Sequence, residues 1–313
     1  MIEIVFLGTS ASAPSIHRGL SAQMVLYRDY RFLVDCGEGT QRQILHSGLG
    51  FKRLNRILLT HGHLDHILGL GGLISTFARW EAIEHIEIYG GAWALERVHD
   101  LIYGVVLRGG DPAIRIDFVE VQPGVVLEDE SFEVVAFPVV HRGPSLGYLF
   151  REKSRRPFLD ERANALGVPQ GPQRGALVAG RPVTLADGRV IEPDDVLGPP
   201  RPGACLAYTG DAGRIEGLEE YVSEADLLVV EATYLAEEAE MARAFGHLTA
   251  TQAAQLACSA GAHRLALTHV SRRYRESDIV EEARRAFPDA VVVRDFDHFR
   301  VMREQVLMER PAG

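Results

Sequence analysis

The chain has little cysteine, no surplus of positive charge and no long apolar run, and each shortage removes a class of protein. Its only cysteines are Cys36, Cys205 and Cys258, an odd set, far apart and outside any CxxC pattern. That spacing argues against a disulfide framework and reads as three core thiols in a reducing compartment, the cytoplasm. With 33 basic against 43 acidic side chains the formal charge is −10, so no global basic field advertises nucleic-acid binding and DNA is not expected as a partner. Any RNA contact has to come from a local patch. No stretch of about 18 apolar residues is present, which argues against a membrane span. The opening "MIEIVFLGTS" lacks a basic leader and a small-residue cleavage site, and reads as a first strand. No internal repeat or low-complexity tract is visible.

What the chain does have is 313 residues with 46% hydrophobic content, enough for a well-buried core. Short β-rich runs recur, and several end on a residue of ligand type: "RFLVDCGEG" at Asp35, "NRILLTHGHLDH" at a histidine cluster, "FEVVAFPVVH" at His141, "CLAYTGD" at Asp211, "DLLVVEAT" at Glu231 and "RLALTHVS" at His269. Such an arrangement gathers side chains from distant sequence at one edge of stacked sheets. Helical segments alternate with the strands. "TQRQILHSG" is closed by Gly48, "LTATQAAQLACSAG" has Thr249 or Thr251 as cap and Gly261 as stop, and "SDIVEEARRAF" starts on Ser277 and stops before Pro288. The pattern predicts an α/β fold with two packed sheets or one large mixed sheet.

Residues 151–203 break this rhythm, holding eight of the 15 prolines and seven glycines. They exclude a continuous helix or central strand and read as an excursion from the core. Inside it, "VTLADGRVIEP" predicts a small hairpin turning on Asp187 and Gly188. From Arg151 to Arg181, Arg151, Lys153, Arg155, Arg156, Arg162, Arg174 and Arg181 face only Glu152, Asp160 and Glu161, a surplus of +4 in an acidic chain. This is either a local basic patch or an ordinary solvated loop.

The densest chemistry is "LLTHGHLDHILGLGGL", residues 58–73, which places His61, His63, Asp65 and His66 within six positions after an apolar strand. Imidazole nitrogen and carboxylate oxygen suit zinc, with manganese or iron as alternatives. Alternation along an extended chain would send His61 and His63 one way, and Asp65 and His66 the other. With His141, Asp211 and His269 this makes seven ligands, a number that suits two metals, and Asp211 is the natural bridge because a carboxylate has two oxygens. A lone HxH is a weak signal, but HxHxDH at a strand end with further His and Asp at later strand ends is a strong one. His46, His85, His99 and His263 read as structural or solvent-facing, without carboxylate partners.

Assembled, these residues resemble the metallo-β-lactamase superfamily and, within it, the ribonuclease Z family, whose members trim the 3′ trailer from precursor tRNA. The resemblance covers essentially the whole chain as a single domain, residues 1–313, and implies an αββα sandwich. It implies two zinc ions, with His61, His63 and His141 on the first, Asp65, His66 and His269 on the second, and Asp211 bridging. "VEAT" and "GHLTA" resemble two further family motifs, in which a glutamate, here Glu231, positions a histidine, here His247, near the metals. Asp65 would orient or deprotonate the attacking water, and His247 would protonate the departing 3′ oxygen. The excursion at 151–203 resembles the family's inserted tRNA-gripping arm, with Arg155, Arg156, Gly171, Pro172 and Arg174 as candidate contacts. "HVSRRY" adds Arg273, and "APSIHRGLS" adds Arg18 in a loop associated with choosing the cleavage position. The family pattern also implies a homodimer. The competing readings are a small-molecule phosphodiesterase or arylsulfatase of the same superfamily, and a non-catalytic tRNA- or metal-binding module.

Overall fold

The computed structural model describes residues 1–80, 83–108, 110 and 114–311. The strands are β1 (Ile2–Gly8), β2 (Ala22–Tyr27), β3 (Tyr30–Val34), β4 (Arg56–Leu58), β5 (His85–Gly90), β6 (Arg115–Glu120), β7 (Gly124–Glu128), β8 (Phe132–Val140), β9 (Pro144–Glu152), β10 (Val183–Thr184), β11 (Val190–Ile191), β12 (Cys205–Tyr208), β13 (Leu227–Glu231), β14 (Leu265–Thr268), β15 (Ala290–Val292), β16 (His298–Met302) and β17 (Gln305–Glu309). Among the described residues, eight form one sheet in the order β17-β16-β1-β2-β3-β4-β5-β6. Seven form a second in the order β15-β14-β13-β12-β9-β8-β7.

The period of two in the strands shows how the sheets are layered. In β1, Ile2, Ile4 and Phe6 enter a core shared by both sheets, while Val5 and Leu7 face a second core under the helices Thr40–His46, Gly69–Trp80 and Ala92–His99. In β13, Leu227 and Val229 enter the shared core, while Leu228 and Val230 pack against the helices Ala250–Ser259 and Glu276–Arg284. The layers are therefore helix, sheet, sheet, helix. Strands β12 to β14 are covered on both faces, which is why they read as unbroken apolar runs. Strands β3 to β6 run parallel to one another, as do β12 to β15, so the loops after β3 and β4 leave one edge together, as do those after β12, β13 and β14.

Residues Glu152–Gly203 form a second compact unit. It has its own small core of Ala163, Val168, Leu177, Val183, Leu185, Ile191 and Val196. Its hairpin, β10 with β11, turns at Gly188 in the left-handed region (φ +85°), and the short helices Asp160–Ala165, Pro172–Val178 and Pro193–Val196 complete it.

Two local expectations need correction, the Ser277 cap and the three core thiols, and one open choice, Thr249 or Thr251, is decided. The helix Glu276–Arg284 is capped by Arg275 and not by Ser277, because the Asp278 carboxylate reaches back to accept the Arg275 amide. Thr249 is the cap of Ala250–Ser259, in a reciprocal box with Gln252. Cys36 and Cys205 are buried, but Cys258 lies on the outer face of its helix and is exposed. No described helix is long and apolar enough to cross a membrane.

Candidate metal centre

The histidine loop leaves β4 and turns into the helix Leu64–Ile67, with extended His63 (φ −70°, ψ 152°) as its first flanking residue. That turn, and not strand alternation, is what separates the ligands. It is clamped against the exit of β3: the Cys36 amide donates to the His66 carbonyl at 2.7 Å, and the Gly69 amide to the Cys36 carbonyl at 2.9 Å. Backbones can approach this closely only because the residues are glycines, since a Cβ on Gly37 would lie 2.4 Å from the Asp65 carbonyl and one on Gly69 2.0 Å from that of Gly37.

The structure brings all seven expected ligands together. Donor atoms of His61, His63 and His141 form one group, and those of Asp65, His66 and His269 another, each within 4.8 Å of one another. Asp211 lies between them, its Oδ2 at 3.8 Å from His61, 3.9 Å from His141, 3.3 Å from His66 and 3.2 Å from His269. The donor chemistry fits a divalent cation. Nε2 of His66 and of His269 are buried without a hydrogen-bond partner, an arrangement that is costly unless a cation receives them.

The charges agree with that fit. Burial, reinforced by neighbouring imidazoles, lowers His61 and His269 and takes His63 down to about 4, leaving these rings neutral, the metal-binding form. Burial alone would raise Asp211 and Asp65, but His66 and His269 outweigh it and hold both carboxyls below their ordinary range. His66 is opposed by burial yet raised by Asp211 and Asp35, so the pocket attracts positive charge where its Nε2 points.

His247 and Glu231 stand beside this group. His247 Nδ1 is 2.9 and 3.0 Å from the two Glu231 oxygens and 4.0 Å from Asp211. Glu231 has no exposed surface, and it also accepts the Ala212 amide at 2.7 Å and the Thr233 hydroxyl at 2.5 Å. Burial disfavours the imidazolium, but the Glu231 carboxylate more than offsets it and raises His247 to about 9.

Some supporting residues were not assigned from the sequence. Asp35, fully buried at φ +58°, accepts from Thr60 and lies 2.8 Å from His66 Nδ1, setting that ring to offer Nε2. Its place at a strand end was the available signal; which ring it faces was not legible. Trp93 packs edge-on to His63 with ring centroids 5.5 Å apart. His85 and His263 do have carboxylate partners, Asp117 at 2.9 Å and Asp226 at 3.1 Å, supplied by a neighbouring strand and by the loop before β13.

The candidate RNA contacts are placed as follows. Arg18 is largely buried, donating to Thr9 Oγ1 and the Val293 carbonyl at 2.6 Å and pairing with Glu276 at 3.1 Å. Arg273 is exposed and paired with Glu238 at 2.5 Å. In the smaller unit Arg156 is tied to Asp194 at 2.5 Å, and Arg174 to Asp160 at 2.7 Å and Asn164 at 2.5 Å. Arg155, Arg162 and Arg181 are exposed, and none is in an ion pair among the described residues. Gly171, at φ +114°, and Pro172 form an exposed turn into the helix Pro172–Val178.

Comparison with known proteins agrees with this geometry. The family described as "Beta-lactamase superfamily domain" matches residues 166–270, and that described as "Anti-Pycsar protein Apyc1" matches residues 2–147. Ribonuclease Z of Bradyrhizobium diazoefficiens is 47% identical over 302 residues, covering 96% of this chain and 100% of that protein. Ribonuclease Z of Halorubrum lacusprofundi is 41% identical over 298 residues, covering 94% and 95%. The crystal structure of human tRNase Z, short form, superimposes with a TM-score of 0.66 at 26% identity over 96% of this chain and 99% of that one. Full-length identity at this level, on the same fold, places the chain in the ribonuclease Z family of the metallo-β-lactamase superfamily, metal-dependent hydrolases of phosphodiester bonds.

Proposed function

We propose that the chain is a zinc-dependent endoribonuclease that removes the 3′ trailer from precursor tRNA, leaving a 3′-hydroxyl on the tRNA and a 5′-phosphate on the trailer. The observation that carries this reading is the His247–Glu231 pair set beside the seven-donor cluster. His61, His63 and His141 would hold one ion, Asp65, His66 and His269 the other, and Asp211 both. When bound, two such ions supply Lewis acidity and an activated water for in-line attack at phosphorus.

The chain's own groups do the rest. Asp65, 15% exposed at the rim of the cluster, orients the attacking water and accepts its proton. His247, kept protonated by Glu231, delivers a proton to the departing 3′ oxygen. No attack by the substrate 2′-hydroxyl is needed, so the products carry the ends stated above.

The unit Glu152–Gly203 is proposed to grip the body of the tRNA. Arg155, Arg162 and Arg181 supply its phosphate contacts, with Gly171 and Pro172 as an exposed turn, while Arg156 and Arg174 hold the unit's own fold. Arg273 and Arg18 are proposed as neighbours of the acceptor end, Arg18 through the loop it fixes. A cytoplasmic homodimer follows the family pattern, in which one subunit grips the tRNA that the other cuts.

The test is cleavage of an end-labelled precursor tRNA by the zinc-loaded chain, by Asp65→Ala and by His247→Ala. A single cut beside the acceptor stem leaving a 3′-hydroxyl, lost in Asp65→Ala and slowed in His247→Ala, supports the proposal. An intact precursor alongside rapid hydrolysis of a small phosphodiester would replace it with the small-molecule reading.

A further inference from the structure

The two candidate metal positions are supported by different parts of the chain. Around His61, His63 and His141 the supports come from the β4 exit and the second half: Thr60 Oγ1 is 3.0 Å from His61 Nδ1, and His141 Nδ1 donates to the Gly246 carbonyl at 2.6 Å. Two of the other three ligands are supported by the loop between β1 and β2. The Ser12 amide donates to Asp65 Oδ2 at 3.0 Å, and Ser21 Oγ lies 2.9 Å from His269 Nδ1.

Those two contacts lie towards opposite ends of one fixed segment. The amides of Thr9 and Ser10 donate to the Gly19 carbonyl at 3.0 and 2.9 Å, closing the loop on itself. Asp295 clamps the same closure, accepting the Thr9 hydroxyl at 2.7 Å and the Gly19 amide at 2.6 Å. The Ala11 amide donates to Val270, next to His269, at 3.1 Å, and the Val270 amide to Thr9 at 3.0 Å. Ser12 adopts φ +58°, a conformation a serine keeps only where its surroundings impose it, and this turns its amide to Asp65.

We propose that the loop from Thr9 to Ser21 tethers the Asp65, His66 and His269 position and not the other, with Ser21 as the positioning residue for His269. The proposal rests on the reading of these residues as metal ligands. The Nε2 of His269 is the buried, unpartnered nitrogen, so Nδ1 carries the proton and donates to Ser21 Oγ, which fixes both the tautomer and the plane of the ring. Ser21 is 2% exposed, so no bulk water stands ready to take its place. His66 has a carboxylate in this role, whereas His269 has only a hydroxyl, and this makes Ser21 the sensitive point of the position.

The test is zinc titration of the metal-free full-length chain against a chromophoric chelator, with Ser21→Ala placed in two backgrounds. In His63→Ala, where the tethered position is the intact one, Ser21→Ala weakens the remaining tight equivalent about 10- to 100-fold. In His269→Ala, where the other position is the intact one, Ser21→Ala leaves the remaining equivalent unchanged. Thermal melts of the metal-free variants separate a lost contact from a lost fold. Should Ser21→Ala melt early, Ser21→Thr, which keeps the oxygen, has to restore the affinity for the tether to stand. Equal weakening in both backgrounds, or none in either, overturns the tether. A parent chain that takes up no zinc at all overturns instead the metal-site reading beneath it.

Discussion

The Nδ1 of His247 lies 2.9 and 3.0 Å from the two carboxylate oxygens of Glu231, a residue with no exposed surface. The pairing raises His247 to about 9, so the ring carries a proton at neutral pH and the basic limb of a kcat profile should fall near that value. Removing the carboxylate removes what stabilises the imidazolium. Glu231→Gln is therefore expected to lower kcat by about 10²-fold or more and to move the basic limb down towards the ordinary imidazole value of 6.5. A pH series of initial rates on one substrate measures both, and an unmoved limb would remove His247 from the proton transfer.

Asp35 accepts from the Thr60 amide and hydroxyl and orients His66. Asp35→Ala leaves these buried groups without their acceptor, at about 1–3 kcal/mol each, and is expected to weaken metal binding about 10- to 100-fold. Denaturant melts of the metal-free chain read the first effect, and chelator competition reads the second.

Metal removal should cost stability as well as activity, because an ion that binds only the folded chain adds to its stability. At a free concentration 100 times Kd the contribution is about 2.7 kcal/mol for one site. Scanning calorimetry with and without a chelator should show a lower Tm for the stripped protein, and re-addition of zinc should restore it together with hydrolysis.

Because Glu152–Gly203 has a core of its own, replacing residues 155–200 by a short Gly/Ser linker should leave the three larger cores standing. The truncated chain is expected to hydrolyse a small activated phosphodiester at close to the parent rate and to lose about 100-fold or more in kcat/KM on precursor tRNA, the order expected when several phosphate contacts go. Equal loss on both substrates would mean that the segment supports the catalytic unit and does not grip RNA.

Burial pushes the Asp295 carboxyl up to about 6, above the 3.8 of an unperturbed group, even though Gly19 and Thr9 donate to it. A carboxyl raised on folding favours the protonated native state. Its contribution is therefore complete below about 3.8 and is lost as pH rises through 6. Measured as a difference in urea unfolding of the metal-free proteins, wild type should lose up to about 3 kcal/mol relative to Asp295→Asn between pH 4 and 7, and stay level above that.

The candidate ligands were legible because the chemistry is concentrated: "HGHLDH" and the strand-terminal His141, Asp211 and His269 stand out by residue type and place, and the fold brings their donor atoms together. The pairings of His85 with Asp117 and His263 with Asp226 were not legible, since each partner sits on another segment. Nor was the electrostatics of the arm. The surplus of +4 over residues 151–181 falls to +2 over residues 151–203, and in the folded unit Asp194 closes on Arg156 while Asp160 closes on Arg174.

By itself the sequence determined the alternation of short strands and helices, the separate character of residues 151–203 and the set of donor types, because these follow from local periodicity and composition. Only the tertiary structure decided which lone pair meets which donor: that Asp35 turns to His66, Ser21 to His269 and the Ser12 amide to Asp65. Ser21 and His269 are 248 residues apart in the chain. Their contact exists because two sheets pack face to face and bring the loop after β1 against the end of β14, a relation that local sequence does not encode.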